Sequence, residues 1–320
     1  MHKVIFTANT FSEKQIEVLR QKGINIVKQP SNLSEGNLIE ALQDAEGYIL
    51  GGDEIATKHV IEMAKHLKII SFLGVGYERY IDVRVAKEHG IVVTNTPGAN
   101  SQAVAEFTVS LILDVVKKIT YLNELSKNGI WEKPHVWNLH NRTVGIIGMG
   151  NIGSKVAKIL HDGFGMRVIY VSRSVKGHVE EAFGAKKVTL DELFAQSDVV
   201  SVHVAQADET VNMIKKQQLT LMKPTSILVN TARAEIIDGH ALYEALITNQ
   251  LSAAAFDAYY IEPLPERSQD EYKLMSLPND KFVLTTHNAY NSIDAIETMN
   301  EMIINGLIDM FEGRKPIHQI

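Results

Sequence analysis

The chain carries one glycine-spaced loop, Gly148-Met149-Gly150-Asn151-Ile152-Gly153. In such a spacing the first glycine makes a tight turn and the second lets backbone approach a pyrophosphate. The third lets the following helix pack closely on the preceding strand. The flanks suit that reading, with an apolar strand before the loop (Val144, Ile146, Ile147) and a helical pattern after it (Val156, Ala157, Leu160). The phosphates of a dinucleotide would rest on free N–H groups at the positive end of that helix, around Gly148, Gly150, Asn151, Ile152 and Gly153. Three later segments fall at or just past strand ends, the edge where doubly wound sheets place ligands. They are Asn230-Thr231-Ala232-Arg233, the run 256–263 with Asp257 and Glu262, and Thr285-Thr286-His287-Asn288-Ala289. A guanidinium suits carboxylate binding, and an imidazole suits proton transfer near neutral pH.

The elements that must position these groups alternate between strand and helix from the first residues, the pattern of α/β sheets with parallel strands. Strands are expected over 4–8, 24–27, 48–50, 68–72 and 91–94, with helical spacing over 13–22, 35–45, 57–66 and 81–89. They make one complete doubly wound unit, closed by the turn-rich stretch 95–100. Asn100 or Ser101 would then cap one long helix reaching about residue 126. A second unit opens at Thr143, with strands over 143–148, 167–172, 186–188, 199–203, 226–230, 252–256 and 282–285. The amphipathic stretch 292–312 has no strand after it and must bury its apolar face elsewhere, so we expect it to return to the first unit. The expected architecture is two doubly wound, Rossmann-like and flavodoxin-like domains with parallel sheets, and an active-site cleft between them. Residues 1–98 with 292–320 form the substrate domain and 99–291 the dinucleotide-binding domain. Stretches 95–101 and 288–292 are the expected hinges.

The glycine loop, the segment 230–233, the Asp257-to-Glu262-Pro263 run and the late Thr285-Thr286-His287, in this order and spacing, resemble the D-isomer-specific 2-hydroxyacid dehydrogenase family over nearly the whole chain. The resemblance implies that Arg233 holds the substrate carboxylate and polarises its carbonyl. It implies His287 as the acid/base, Glu262 as the carboxylate that orients and charge-tunes it, and Asp257 facing the nicotinamide carboxamide. It also gives the backbone N–H groups of Val75 and Gly76 a share of the carboxylate, makes Asn100 a further substrate candidate, and places Thr231, His203 and Thr210 along the cofactor cleft. The chemistry is hydride transfer between a nicotinamide and a 2-hydroxy or 2-keto acid.

NAD sites usually carry Asp or Glu about twenty residues after the glycines, on the ribose hydroxyls. Here the second strand ends in Ser172, Arg173 and Ser174, donors with one positive charge that would suit a 2′-phosphate. That favours NADP, while an Arg stacked on adenine leaves NAD open. Ala205 stands where the family usually has proline, Ala234 follows Arg233 in place of the commoner glycine, and Thr286 precedes His287 in place of proline. Stretches 74–77 and 92–100 look like the phosphoglycerate dehydrogenase branch. Phe72, however, is apolar in a neighbourhood where relatives acting on phosphoglycerate often carry arginine, and the chain stops at Ile320 without room for the C-terminal regulatory domain of many such enzymes. Glyoxylate or hydroxypyruvate is therefore the preferred substrate and 3-phosphoglycerate the alternative. A formate dehydrogenase would lack Glu262. A nicotinamide-sensing binding protein or corepressor on the same scaffold is the alternative of another class.

Bulk properties narrow the rest. The 320 residues are 45% hydrophobic and 22% charged with a net charge of −6, which gives nucleic-acid binding no electrostatic support. There is no cysteine, so disulfides, thiolate nucleophiles and Cys-based zinc sites are out, and no HExxH run points to a metal. The N-terminus shows neither a signal-peptide core nor a membrane span, so a cytoplasmic protein is expected. The helix from Ser101 and an arm from Trp131 to Trp137, read as exposed, lie where the family builds a homodimer through the nucleotide-binding domain.

Overall fold

The computed structural model describes residues 1–8 and 10–320, which divide into two compact units, 1–100 with 291–320 and 101–290. In the first unit β1 (His2–Phe6), α1 (Glu13–Gln21), β2 (Ile24–Lys28), α2 (Glu35–Leu42), β3 (Gly47–Leu50), α3 (Lys58–Met63), β4 (Ile69–Phe72), α4 (Val83–Glu88) and β5 (Val92–Thr94) follow one another. Each helix starts where a short polar side chain can cap it: Ser12, Ser34, Thr57 and Asp82 accept from the N–H three residues on. The strands form one parallel sheet in the order β2-β1-β3-β4-β5, the flavodoxin-like arrangement. β3 and β4 are buried on both faces, which explains their unbroken apolar character.

The second unit holds α5 (Ser101–Lys117), α6 (Ile119–Lys127), β6 (Thr143–Ile147), α7 (Asn151–Phe164), β7 (Arg167–Val171), α8 (Gly177–Phe183), β8 (Lys186–Lys187), α9 (Leu190–Gln196), β9 (Val199–Val202), α10 (Lys216–Leu219), β10 (Ile227–Asn230), α11 (Gly239–Ile247), β11 (Ala253–Phe256) and β12 (Phe282–Leu284). Its parallel sheet runs β12-β11-β10-β9-β6-β7-β8, the Rossmann order extended by one strand. Adjacent residues alternate between its two faces. Val144, Ile146, Val168 and Val229 pack under α5 and α7, while Ile147, Val200, Leu228 and Phe256 face α9 and α11.

The last helix, α12 (Ile293–Phe311), is capped by Ser292 and returns to the first unit, where it packs on β4 and α1. Asn300 fastens it, its Oδ1 accepting from Thr10 Oγ1 at 2.8 Å and its Nδ2 donating to Thr10 O at 2.9 Å. The residues after it cover the open edge of β5: Gln319 pairs antiparallel with Thr94, and Ile320 N donates to Val93 O at 2.9 Å. Exposed strand edges invite pairing with other chains, and this short tail blocks one. Among the described residues no helix is long and apolar enough to cross a membrane.

Three expectations need correction. The helix from Ser101 does not run through to 126: Lys118 adopts a left-handed backbone, φ +55°, and splits α5 from α6. The Asp114 carboxylate takes the Thr120 N–H at 2.7 Å and its hydroxyl at 2.8 Å, giving the restarted turn its acceptor. Asn100 Oδ1 is buried and makes no hydrogen bond among the described residues, so it does not cap α5. The arm exposes one tryptophan rather than two. Trp131 is 82% exposed, whereas Trp137 is half-buried against the core with Arg142 over its ring.

Candidate active site

The glycine loop leaves β6 at the point where the strand order reverses, between β6 and β9. Gly148 has φ +98°, and a Cβ there would sit 2.7 Å from the backbone of His203. A Cβ on Gly153 would sit 2.1 Å from Gly148 O, so only glycine lets α7 approach this closely. Gly150 differs. It is the N-cap of α7 and has no side chain to cap it, and nothing lies within 4 Å of where its Cβ would be. An uncapped helix start facing an open cradle fits a pyrophosphate, with Asn151 and Ile152 supplying first-turn N–H groups.

Other cofactor candidates surround the same sheet edge. His203 follows β9, and burial pushes its imidazole down to about 3, so the ring is neutral; its Nε2 lies 2.8 Å from Ser201 Oγ. Thr210 spends its hydroxyl within its own loop, on Ala205 O and Ala207 O. Thr231 Oγ1 lies 2.8 Å from Thr108 Oγ1, tying the turn after β10 to α5. Past β7, the Ser172 hydroxyl donates to Ser174 O at 2.5 Å, and Arg173 and Ser174 are exposed.

The second unit brings three of the sequence candidates into one line. His287 Nδ1 lies 3.1 Å from Glu262 Oε2, and Arg233 Nη1 lies 3.1 Å from His287 Nε2. A neutral imidazole protonated on Nδ1 satisfies both contacts, donating to Glu262 and accepting from Arg233. Burial raises the Glu262 carboxyl, but the His287 hydrogen bond and charge, the Tyr259 N–H and the Arg233 charge outweigh it. The carboxyl is held below its ordinary value.

Two residues shape this line from behind. Asn230, buried at the end of β10, donates from Nδ2 to Arg233 O at 2.8 Å and accepts the Ala232 N–H at 2.9 Å, folding the turn that presents Arg233. Asp257 is buried at the end of β11. Its carboxylate accepts from Thr285 Oγ1 (2.6 Å), Asn288 N (2.9 Å) and Ala289 N (2.8 Å), and its carbonyl takes the His287 N–H at 2.5 Å. His287 sits inside this clasp at φ +53°, a conformation uncommon for a residue with a side chain. Neither clasp is legible in the sequence, although both residues stand in the segments that hold Arg233 and Glu262.

The remaining substrate candidates belong to the first unit. Gly74, at φ +157°, turns the chain after β4. Gly74 O accepts from Thr96 N and Oγ1, and Val75 O accepts from Asn95 Nδ2 at 3.2 Å. The carbonyls are thus fastened inward, while the N–H groups of Val75 and Gly76 donate to no partner among the described residues. Asn100 stands further along with its buried oxygen unmatched.

Comparison with known proteins identifies the family. Residues 109–289 match the model of the D-isomer specific 2-hydroxyacid dehydrogenase NAD-binding domain. A glyoxylate reductase of Thermococcus litoralis is 33% identical, over 99% of this chain and 96% of that protein. A D-3-phosphoglycerate dehydrogenase of Archaeoglobus fulgidus is 34% identical over 97% of this chain, which spans 57% of that protein's length. A solved acyclic imino acid reductase, in complex with NADPH and D-Arg, superposes with a TM-score of 0.85 at 29% identity, covering 99% of both chains. The chain belongs to the D-isomer-specific 2-hydroxyacid dehydrogenase family, nicotinamide-dependent oxidoreductases acting on the CH–OH group of 2-hydroxy acids.

Proposed function

We propose that this enzyme reduces glyoxylate or hydroxypyruvate with NADPH, using Arg233, Glu262 and His287. The observation that carries the catalytic reading is the continuous line from Glu262 through His287 to Arg233. The chemistry the nicotinamide supplies when bound is hydride transfer to the carbonyl carbon. Arg233 turns its fork from His287 Nε2 to the substrate carboxylate, which it bonds through two oxygens. That frees Nε2 to hold a proton and give it to the carbonyl oxygen as the alkoxide forms. Glu262, on Nδ1, fixes the ring's tautomer and stabilises the imidazolium.

Val75 and Gly76 N–H groups share the substrate carboxylate in this reading, and Asn100 is a further substrate-binding residue. The first unit then serves as the substrate domain and the second as the nucleotide domain. An ionised carboxylate has about four acceptor sites. Asp257 uses three on Thr285, Asn288 and Ala289, which leaves one for the nicotinamide carboxamide. His203, Thr210 and Thr231 line the nicotinamide side. Ser172, Arg173 and Ser174 receive the 2′-phosphate, and the absence of an acid there supports NADP over NAD. The relative solved with NADPH supports the same choice, and the relatives named glyoxylate reductase support the substrate. A cytoplasmic homodimer, joined through the nucleotide unit, completes the reading.

The test is loss of reduced-nicotinamide absorbance with NADPH or NADH against glyoxylate, hydroxypyruvate, pyruvate, phenylpyruvate and phosphohydroxypyruvate. Fastest turnover of glyoxylate or hydroxypyruvate with NADPH is expected. Turnover confined to phosphohydroxypyruvate would reassign the substrate to the phosphoglycerate branch.

A further inference from the structure

A second cation stands beside the 172–174 turn. Lys187 lies on β8, in register with Tyr170 of β7, and its Nζ reaches the carbonyl of Arg173 at 3.5 Å. The ammonium is thus drawn to the backbone of Arg173, in the turn that offers the Arg173 guanidinium and the Ser174 hydroxyl. The turn itself is fixed: the Ser172 hydroxyl bonds Ser174 O, and the Tyr170 hydroxyl receives the Lys176 N–H and donates to Glu180. Of the two carboxylates on the neighbouring helix, Glu180 is committed to Tyr170, and Glu181 pairs with neither cation. Among the described residues neither Arg173 nor Lys187 pairs with a carboxylate, so both charges remain available.

An ammonium has three donors. Lys187 spends one on Arg173 O and keeps two for a ligand. We propose that Lys187 is a second cation for the 2′-phosphate of NADP and a determinant of the preference for NADP over NAD. This rests on the reading above, in which Ser172, Arg173 and Ser174 receive that phosphate. A plainer role exists for lysines on an edge strand, which is to discourage strand addition. Lys186, in register with Ile169 on the same strand, would share that role, whereas the cofactor role falls to Lys187 alone.

The two adenosine fragments that differ only in the 2′-phosphate separate these possibilities without turnover. Titration calorimetry of the full-length protein with adenosine 2′,5′-bisphosphate and with 5′-AMP gives the ratio of their affinities. The wild type is expected to favour the bisphosphate. Lys187→Ala is expected to cut the ratio about tenfold, equivalent to about 1.4 kcal/mol, Lys187→Glu to cut it further, and Lys186→Ala to leave it in place. The wild-type ratio should shrink as salt is raised, because both charges are exposed. A wild-type preference that survives Lys187→Ala, or falls equally with Lys186→Ala, overturns the assignment of Lys187 alone. A wild type that does not favour the bisphosphate overturns the NADP reading and Lys187 with it.

Discussion

At φ +53° the His287 backbone occupies a region that costs a residue with a side chain about 1–2 kcal/mol, and the hydrogen bonds that Asp257 accepts from the Asn288 and Ala289 N–H groups hold it there. Asp257→Ala strips the buried Ala289 N–H of its acceptor, at a cost of about 1–3 kcal/mol, and releases the loop that aims the imidazole. Both the urea midpoint and kcat should fall; an unchanged kcat would mean that the clasp does not position His287. Glu262 gives a pH signature. Its carboxyl is held below the ordinary 4.5, so between the two values the unfolded chain binds the extra proton. Stability from this group is therefore present above pH 4.5 and is lost as pH falls through the folded value. The stability gap between wild type and Glu262→Gln should be flat near neutrality and close in acid; a gap that widens in acid would contradict the sign. Arg233→Lys keeps the charge and loses the fork. Losing one charge-assisted bond costs about 1.5–3 kcal/mol, so kcat/KM for a keto acid should fall by at least tenfold.

Two glycines three positions apart make opposite predictions for the element they begin. Alanine at Gly153 would meet Gly148 O, forcing α7 off β6. Overpacking of this kind costs about 1–3 kcal/mol, so Gly153→Ala should lower Tm and cofactor affinity together. Alanine at Gly150 meets nothing and is unstrained at φ −91°, so Gly150→Ala should keep its Tm while its methyl occupies the phosphate cradle and weakens cofactor binding. Equal effects of the two changes would show that the cradle is not where the phosphates rest. At this scale the sequence reads well where local chemistry repeats. Strand and helix alternate with visible apolar periods, and Ser12, Ser34, Thr57 and Asp82 mark helix starts. It reads poorly at Lys118, because the apolar spacing continues across the break and the left-handed residue is lysine rather than glycine. The Asp257 clasp was hidden for a related reason. It joins residues some thirty positions apart, and only the pairing of β11 with β12 brings them together.

Across the whole molecule, the return of α12 to the first unit follows from a physical requirement, since its apolar face had no strand of its own to cover. The pairing of Gln319 and Ile320 with β5 was not legible, because a strand of so few residues carries no period. The arm is half legible: both tryptophans stand out in the sequence, but burial of Trp137 depends on α5 and Arg142 reaching it. Trp131 remains 82% exposed, an apolar surface that suits a symmetric contact. Light scattering should give about twice the 35.6 kDa chain mass, and Trp131→Glu should shift it toward the single chain; a wild-type mass of 35.6 kDa would contradict the dimer. The most direct test of the account is the single-turnover rate of NADPH oxidation by glyoxylate in wild type and His287→Ala, with NADPH affinity measured on the same samples. General acid–base catalysis contributes about 10²–10⁴-fold, so the rate should fall by that much while NADPH affinity holds. A His287→Ala rate close to that of the wild type would contradict His287 as the proton donor.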